Sequence, residues 1–203
     1  MKIGIVGKMC SGKSTTAYNI SEFIKNKYNI NFKKISFAGK VYELARDLFG
    51  MTGKDRPLLQ QIGTKFREIN KNCWVNYAMK ISNEERYVII DDGRYLNEID
   101  AMKDNGFFLI RLNISDELQE KRIKETYPNT YSEHINNINH ASEQDITFYP
   151  DEYFDHTIDM DNLNINSFTE LNHKLDILYK TLAETSSSLS SVSSVSSVSS
   201  VSF

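Results

Sequence analysis

A glycine-rich segment close to the N-terminus has the residue types and the spacing that phosphate binding requires. Residues 7–14 read Gly-Lys-Met-Cys-Ser-Gly-Lys-Ser and fit the pattern G-x-x-x-x-G-K-[S/T]. The glycines let successive backbone N–H groups point at a phosphate, and the N-terminus of the next helix adds partial positive charge. In such a loop a lysine lies between the β- and γ-phosphates, and a serine supplies one oxygen to Mg²⁺. We therefore predict a site for ATP and Mg²⁺ formed by Gly7, Lys8, Cys10, Ser11, Gly12, Lys13, Ser14 and Thr15.

The residues on either side of this segment agree with a phosphate-binding loop. Lys2–Val6 is an apolar, β-branched run that predicts a strand, and Lys13–Tyr28 has apolar residues at helical spacing. A glycine-containing turn without phosphate is the alternative, and the strand and helix on either side argue against it. Cys10 is interpreted as a small loop residue rather than as a reactive thiol.

Short apolar runs alternate with amphipathic stretches along the rest of the chain. Further strands are predicted at Phe32–Phe37, Tyr87–Asp91, Phe107–Leu112 and His156–Met160. Further helices are predicted at Val41–Phe49, Pro57–Ile69, Trp74–Ile81, Leu96–Asn105, Asp116–Thr126 and Phe168–Leu182. This order predicts an α/β fold with a doubly wound, mainly parallel sheet.

Two clusters could bind the molecule that accepts a phosphate. Ser36–Lys40 follows the second strand, and its Ala-Gly pair permits close approach of a substrate, although a simple strand-to-helix turn explains it equally well. Residues 60–67 place Gly63 inside a helical pattern and Arg67 three residues after Thr64. Arginine suits phosphate binding, and Trp74 suits stacking on a base, with core packing as its alternative.

A third cluster, Asp91-Asp92-Gly93-Arg94, ends an apolar strand. Asp92 at this position could order the Mg²⁺ shell or accept from a sugar hydroxyl, and Arg94 could bridge donor and acceptor phosphates. The alternative is a polar strand end whose aspartate caps the next helix.

The order of these clusters resembles that of the deoxynucleoside monophosphate kinase family of large DNA phages and viruses, a branch of the P-loop monophosphate kinases. After the phosphate loop, the shared series consists of Phe37-Ala38-Gly39, Leu58-Leu59-Gln60-Gln61-Ile62-Gly63-Thr64, Trp74-Val75, Asp92-Gly93-Arg94 and His140-Ala141-Ser142-Glu143. The similarity spans residues 2–180. It implies ATP-dependent phosphorylation of deoxynucleoside monophosphates for DNA precursor synthesis.

The resemblance also implies site residues. His140, Ser142 and Glu143 would belong to a closing lid. The acceptor monophosphate would be lined by Ala38, Gly39, Gln60, Gly63, Thr64, Arg67, Trp74, Asp92 and Arg94. The chain is compact between Gly50 and Pro57, where some relatives carry an insertion, so the resemblance does not specify which bases are accepted.

Phosphoryl transfer depends on alignment and charge neutralisation. We expect Lys13, Arg67 and Arg94 to share the developing charge, with Arg111 and Arg122 as lid cations or, alternatively, solvated side chains. Other small-molecule kinases, such as those acting on dephospho-coenzyme A or phosphomevalonate, are rival interpretations. A non-catalytic ATP-binding module is another. A GTPase is disfavoured because the chain lacks an Asn-Lys-x-Asp sequence.

Two segments depart from the alternating pattern. Tyr127–Pro150 is polar with weak periodicity and is either a flap over the phosphates or an ordinary surface excursion. The kinase domain is predicted to span residues 1–184, and the Ser/Val-rich residues 185–203 are predicted to form a disordered tail.

Composition narrows the partners. The 203 residues include 25% charged residues, and the formal net charge is −3, which does not favour duplex nucleic acid. Cys10 and Cys73 are too few for a disulfide framework, and His134, His156 and His173 are expected to be surface residues that bind no metal. Lacking a membrane-crossing run or a signal peptide, the chain is predicted to be cytoplasmic, without membrane partners. A homodimer is compatible with the sequence, which does not fix the oligomeric state.

Overall fold

The structure is a computed structural model that describes residues 1–136 and 145–195. The chain divides into two compact units. The sheet unit spans Lys2–Leu163, and the second unit begins at Asn164. Every element discussed as part of the functional site belongs to the sheet unit.

The sheet unit contains five parallel strands in the order β2-β3-β1-β4-β5. Their bounds are β1 Lys2–Gly7, β2 Lys33–Ile35, β3 Val88–Gly93, β4 Phe108–Asn113 and β5 His156–Asp159. In the central ladder Ile3 pairs with Ile89 on one side and with Phe108 on the other. Since β1 lies between β3 and β4, the connections that follow these three strands start next to one another at the carboxyl ends of the strands.

Helices connect the strands. Their bounds are α1 Lys13–Tyr28, α2 Gly39–Phe49, α3 Arg56–Ile69, α4 Cys73–Asn83, α5 Leu96–Asp104, α6 Asp116–Thr126, α7 Tyr131–Asn136 and, in the second unit, α8 Ile165–Val195. Short 3₁₀ turns form at Pro128–Thr130, Asp145–Phe148 and Asp151–Tyr153. Among the described residues, no helix has the length and apolarity that a membrane span requires.

Alternation along the strands divides the core between the two faces of the sheet. Val6, Ile90 and Leu109 pack with apolar residues of α4 and α5 in one cluster. Their neighbours Ile5 and Ile89 face the other side, where α1 packs. Both faces of the strands are therefore buried, which explains their nearly continuous apolar sequence.

Most predicted elements form close to their predicted bounds. The helices Lys13–Tyr28 and Asp116–Thr126 coincide with α1 and α6, and β2 is shorter than the predicted Phe32–Phe37. The described parts of the segment 127–150 contain α7 and two 3₁₀ turns, which its weak periodicity did not reveal.

The last helix extends further than predicted. It runs to Val195 and so includes residues 185–195 of the segment predicted to be a disordered tail. The sequence from Ile165 to Val195 contains no glycine or proline that would end a helix. The remaining tail residues, 196–203, lie outside the described residues.

Candidate functional site

The glycine-rich loop connects the carboxyl end of the central strand β1 to α1. Cys10 has a φ of 59° and Gly12 a φ of 100°, both left-handed conformations that let the chain turn back before α1 begins at Lys13. At Gly7 an added Cβ would lie 2.6 Å from Ser11 Oγ and 2.9 Å from the carbonyl oxygen of Leu112, so only glycine fits there. The loop is therefore closed tightly on itself.

Lys13 lies at the centre of this loop. Its ammonium donates hydrogen bonds to the carbonyl oxygens of Gly7, at 2.6 Å, and of Lys8, at 2.7 Å, and the side chain is buried. The exposed residues Ser14 and Thr15 form the first turn of α1. A buried cation, a helix N-terminus and an exposed hydroxyl thus lie together, as the sequence predicts for a nucleotide phosphate and Mg²⁺.

Ser11 provides a test of whether the loop suits a polar ligand. Its hydroxyl is fully buried and has no hydrogen-bond partner among the described residues. Buried hydroxyls are ordinarily satisfied, so this oxygen is one that a ligand bound in the loop could satisfy. The residues predicted to hold ATP therefore fit a phosphate group.

Helix α6 supports the loop from the side. Arg122 Nη1 lies 3.3 Å from the carbonyl oxygens of both Cys10 and Ser11, and Lys8 Nζ lies 2.6 Å from the carboxylate of Asp116. Arg122 therefore contacts the glycine-rich loop itself, beside the left-handed residues Cys10 and Gly12.

Arg111 has a different environment from the one predicted. It lies within β4, and Nη1 donates to the carbonyl oxygen of Tyr149, at 2.9 Å, and to Asp151, at 3.1 Å. Its guanidinium also stacks over Phe154, 5.3 Å from the ring centroid. Arg111 and Asp151 line a cavity of about 550 Å³, together with Lys8. Arg111 therefore holds the segment that leads into β5, so a role as a lid cation would require these bonds to open.

Asp92, at the end of β3, organises the turn before α2. One carboxylate oxygen accepts from the Phe37 N–H, and the other accepts from Ser36 Oγ at 2.5 Å and from the Ala38 N–H. Gly39 follows as the first residue of α2. Both oxygens of Asp92 are therefore engaged, and coordination of Mg²⁺ by Asp92 would require one of these bonds to be given up.

One face of α3 carries four of the nine residues predicted to line the acceptor monophosphate. Gln60 and Thr64 are exposed and border an open cavity of about 720 Å³. Gly63 leaves room for Arg67, whose Nη1 would lie only 3.3 Å from a Cβ at that position. The Arg67 guanidinium then rests over the ring of Tyr95, 5.1 Å from its centroid.

Trp74 packs in the core. Only 4% of it is exposed, and it packs in a cluster with Val41, Ala45 and Ile62 from α2 and α3. Its indole nitrogen donates to the carbonyl oxygen of Gly63 at 3.1 Å. The predicted role of Trp74 in base stacking is therefore replaced by core packing, the alternative noted from the sequence.

Glu98 is a buried carboxyl close behind the Asp91–Arg94 cluster, and the sequence predicted no specific role for it. Its Oε2 accepts from the backbone N–H groups of Arg94, at 2.9 Å, and Tyr95, at 3.1 Å, at the start of α5. Burial, opposed by these two bonds, raises the pKa of Glu98 to about 7. A glutamate at the third position of a helix is a known capping signal, but Tyr95 at the cap position hid it.

Two histidines predicted to be surface residues are buried. His134 of α7 is 5% exposed, and His156 of β5 is 6% exposed. Arg56 Nη2 of α3 lies 2.7 Å from His134 Nε2, and the His134 ring stacks on Tyr127 at 4.2 Å. Burial, followed by the charge of Arg56, lowers the pKa of His134. This contact joins α3 to the segment predicted as a lid.

Part of the segment predicted as a lid is not among the residues that the structure describes. His140, Ser142 and Glu143 lie outside the described residues. Within residues 1–136 and 145–195, no group of three or more His, Cys, Asp or Glu side chains could hold a metal ion. Arg122 lies against the glycine-rich loop, and because β1 pairs with β3 the Asp92 turn lies beside that loop.

Comparisons with known proteins identify the fold. No protein-family model matches the chain, and no curated protein matches it. Shikimate kinase from Aquifex aeolicus is 19% identical, with a TM-score of 0.50 over 87% of this chain and 96% of that one. Shikimate kinase from Acinetobacter baumannii, in complex with shikimate, is 14% identical with a TM-score of 0.48, covering 89% of this chain and 93% of that one. The predicted fold class is confirmed: the chain has an α/β fold with a parallel five-stranded sheet, and this fold is similar to that of the Aquifex aeolicus shikimate kinase.

Proposed function

We propose that this chain is a P-loop phosphotransferase that moves the γ-phosphate of ATP to a nucleoside monophosphate, with deoxynucleotides as acceptors. The observation that supports this most directly is the pairing of β1 with β3. Because of it, the loop holding Lys13 and the turn holding Arg94 leave the sheet next to each other. A donor site and an acceptor site for anionic groups then share one edge.

The donor nucleotide is assigned to the loop between β1 and α1. Lys13 and the loop N–H groups would contact its phosphates, and Arg122 would add positive charge from α6. Mg²⁺, bound through Ser14, would neutralise charge on the β- and γ-phosphates.

The acceptor is assigned to the region between α3 and the ends of β2 and β3. Arg67 and Arg94 would bind its phosphate, and Ala38 and Gly39 would allow the backbone to approach it. An acceptor phosphate oxygen would attack the γ-phosphorus while the bond from that phosphorus to the bridging oxygen of ADP breaks. The attacking oxygen is already anionic, so the step needs no general base.

The choice of deoxynucleotide rests on the resemblance in the order of the motifs. The buried indole of Trp74 leaves base recognition to other residues, among which the exposed Gln60 and Thr64 border the cavity on α3. His140, Ser142 and Glu143 are proposed to close over the phosphates. Closure would exclude water and thereby suppress hydrolysis of ATP.

The test is ADP release from Mg·ATP by the purified protein, with each deoxynucleoside and ribonucleoside monophosphate supplied singly. Turnover that requires one of these acceptors supports the proposal. Turnover only with dephospho-coenzyme A, phosphomevalonate or shikimate would replace the acceptor class. Binding of ATP without any acceptor-dependent turnover would identify a binding module instead.

Arg94→Ala provides the mutational test of the acceptor side. Loss of a charge that stabilises phosphoryl transfer should lower turnover by a factor on the order of 10²–10³. Arg86→Ala is the matched control, because Arg86 is exposed and lies just before β3, at the opposite end of that strand. Equal turnover in the Arg94 variant and in wild type would remove Arg94 from the mechanism.

A further inference from the structure

The turn between β3 and α5 is held by a single buried carboxyl. Glu98 Oε2 accepts from the N–H groups of Arg94 and Tyr95, the two residues that form this turn. N–H groups before the first turn of a helix have no partner within the helix, so the carboxyl satisfies donors that would otherwise need water. The backbone from which the Arg94 side chain leaves is fixed by these bonds.

The same turn positions a second arginine. Tyr95 presents its ring to the guanidinium of Arg67, 5.1 Å from the centroid, although Arg67 belongs to α3. The absence of a side chain at Gly63 lets Arg67 reach back along its own helix toward this ring. A cation held over an aromatic face loses part of its freedom, so Tyr95 determines where the Arg67 charge lies.

We propose that Tyr95 and Glu98 are positioning residues that hold Arg67 and Arg94 in register for the phosphate of the acceptor. This inference rests on the proposed function, because Arg67 and Arg94 bind the acceptor there. Glu98 acts through the backbone of Arg94, and Tyr95 acts through the guanidinium of Arg67. Neither residue is assigned a contact with the acceptor.

The burial of Glu98 favours this role over simple helix capping. Only 4% of Glu98 is exposed, whereas capping carboxylates such as Asp55 of α3 are exposed. Burying a carboxyl costs free energy unless nearby groups compensate for it. Besides the two N–H groups, the positive charge of Arg67 favours the ionised form of Glu98, while Asp92 opposes it. The Glu98 carboxyl therefore also interacts electrostatically with Arg67, the arginine that Tyr95 positions.

The kinetic test compares Michaelis constants for the two substrates. Tyr95→Leu removes the ring face, and we expect the acceptor KM to rise by roughly 3- to 30-fold while the ATP KM stays near the wild-type value. Tyr95→Phe keeps the ring and should retain the wild-type acceptor KM. Glu98→Ala should raise the acceptor KM, and Glu98→Gln, whose carbonyl still accepts from both N–H groups, should restore most of it.

Matched controls separate positioning from general loss of structure. Tyr87→Leu removes another arginine–ring contact, with Arg86 5.4 Å from the ring centroid, just before β3. Asp104→Asn removes a carboxylate from the exposed end of α5. Neither control should change the acceptor KM. Equal rises of both KM values in the Tyr95 and Glu98 variants would show a structural role only and overturn the inference.

A readout without catalysis distinguishes this inference from the proposed function. In NMR spectra, the side-chain Nε–Hε signal of Arg67 should carry a ring-current shift that disappears in Tyr95→Leu and persists in Tyr95→Phe. In Glu98→Ala the Arg94 amide signal should shift, with recovery in Glu98→Gln. If wild-type protein phosphorylates no monophosphate but these signals behave as described, the proposed function fails while the positioning stands. Unchanged signals in the leucine and alanine variants would overturn the positioning itself.

Discussion

The indole nitrogen of Trp74 donates a hydrogen bond to the carbonyl oxygen of Gly63 at 3.1 Å, which fixes the start of α4 to the middle of α3. Gly63 thus serves two neighbours, because its carbonyl accepts from Trp74 while its missing side chain leaves room for Arg67. One backbone position therefore contributes both to stability and to the proposed acceptor site. Substitutions at Gly63 and at Trp74 should separate the two.

Gly63→Ala should have opposite effects on stability and on activity. Glycine inside a helix costs about 1 kcal/mol relative to alanine, so the free energy of unfolding should rise by up to that amount. The new Cβ would press on the Arg67 guanidinium, whose flexible end can move, and the acceptor KM should rise. Urea unfolding and steady-state kinetics measure the two effects. Gly53→Ala, in open space, is the control for a change of backbone freedom alone.

Trp74→Phe should affect stability more than substrate binding. Loss of the indole donor and part of the ring from the core should lower the free energy of unfolding by about 1–3 kcal/mol. Thermal unfolding and the KM of each monophosphate test this. A large rise in one acceptor KM with unchanged stability would instead show that the indole contacts a base.

Lys13→Met should abolish most phosphoryl transfer. The variant keeps the length of the side chain but removes the ammonium that lies on the carbonyls of Gly7 and Lys8, and turnover should fall by a factor on the order of 10²–10³. Lys25→Met, on the exposed face of the same helix, should turn over at the wild-type rate. Comparable turnover in the two variants would contradict the assignment of the phosphate loop.

Glu98 should make stability depend on pH. Its pKa is about 7 in the folded chain against an ordinary value of 4.5, so the folded state binds more protons than the unfolded state between these values. Its contribution to the free energy of unfolding therefore falls as pH rises from about 4.5 to about 7. Glu98→Gln should remove this dependence on pH. Between pH 4.5 and 7 its free energy of unfolding should therefore rise relative to that of the wild type by up to about 3 kcal/mol. Parallel profiles of the two proteins from pH 4.5 to 8 would contradict it.

His134 should make stability change with pH in the opposite direction to Glu98. Burial and Arg56 lower its pKa in the fold, so the unfolded state binds more protons below the ordinary value of 6.5. Stability contributed by His134 is present above 6.5 and is lost as pH falls from there toward the folded pKa. The protection factors of the α7 amides against hydrogen exchange should fall from pH 7 to pH 5, and this fall should be smaller in His134→Gln. His173→Gln, at an exposed position of α8, is the control.

Local sequence patterns were sufficient to predict most of the strands and helices and the position of the glycine-rich loop between β1 and α1. The strand that leads to Gly7 and the helix from Lys13 to Tyr28 each follow from a pattern of neighbouring residues, and both form as predicted. What Trp74, His134 and Glu98 do depends on contacts that burial creates. Trp74 has a large apolar ring with one hydrogen-bond donor, so the residue type alone fits either stacking on a base or packing in the core. Only the packing of α3 against α4 decides between these two roles.

The parallel pairing of β2 with β3 has a consequence for how this chain can diversify. Helices α2, α3 and α4 all lie in the stretch between these neighbouring strands, so most of the proposed acceptor-binding residues are encoded in one uninterrupted piece of the chain. The loop with Lys13 and the supporting α6 lie outside that piece. Under the proposed function, mutation or recombination confined to this piece would change the acceptor and leave the glycine-rich loop unaltered. Chimaeras joined within β2 and β3 would test this.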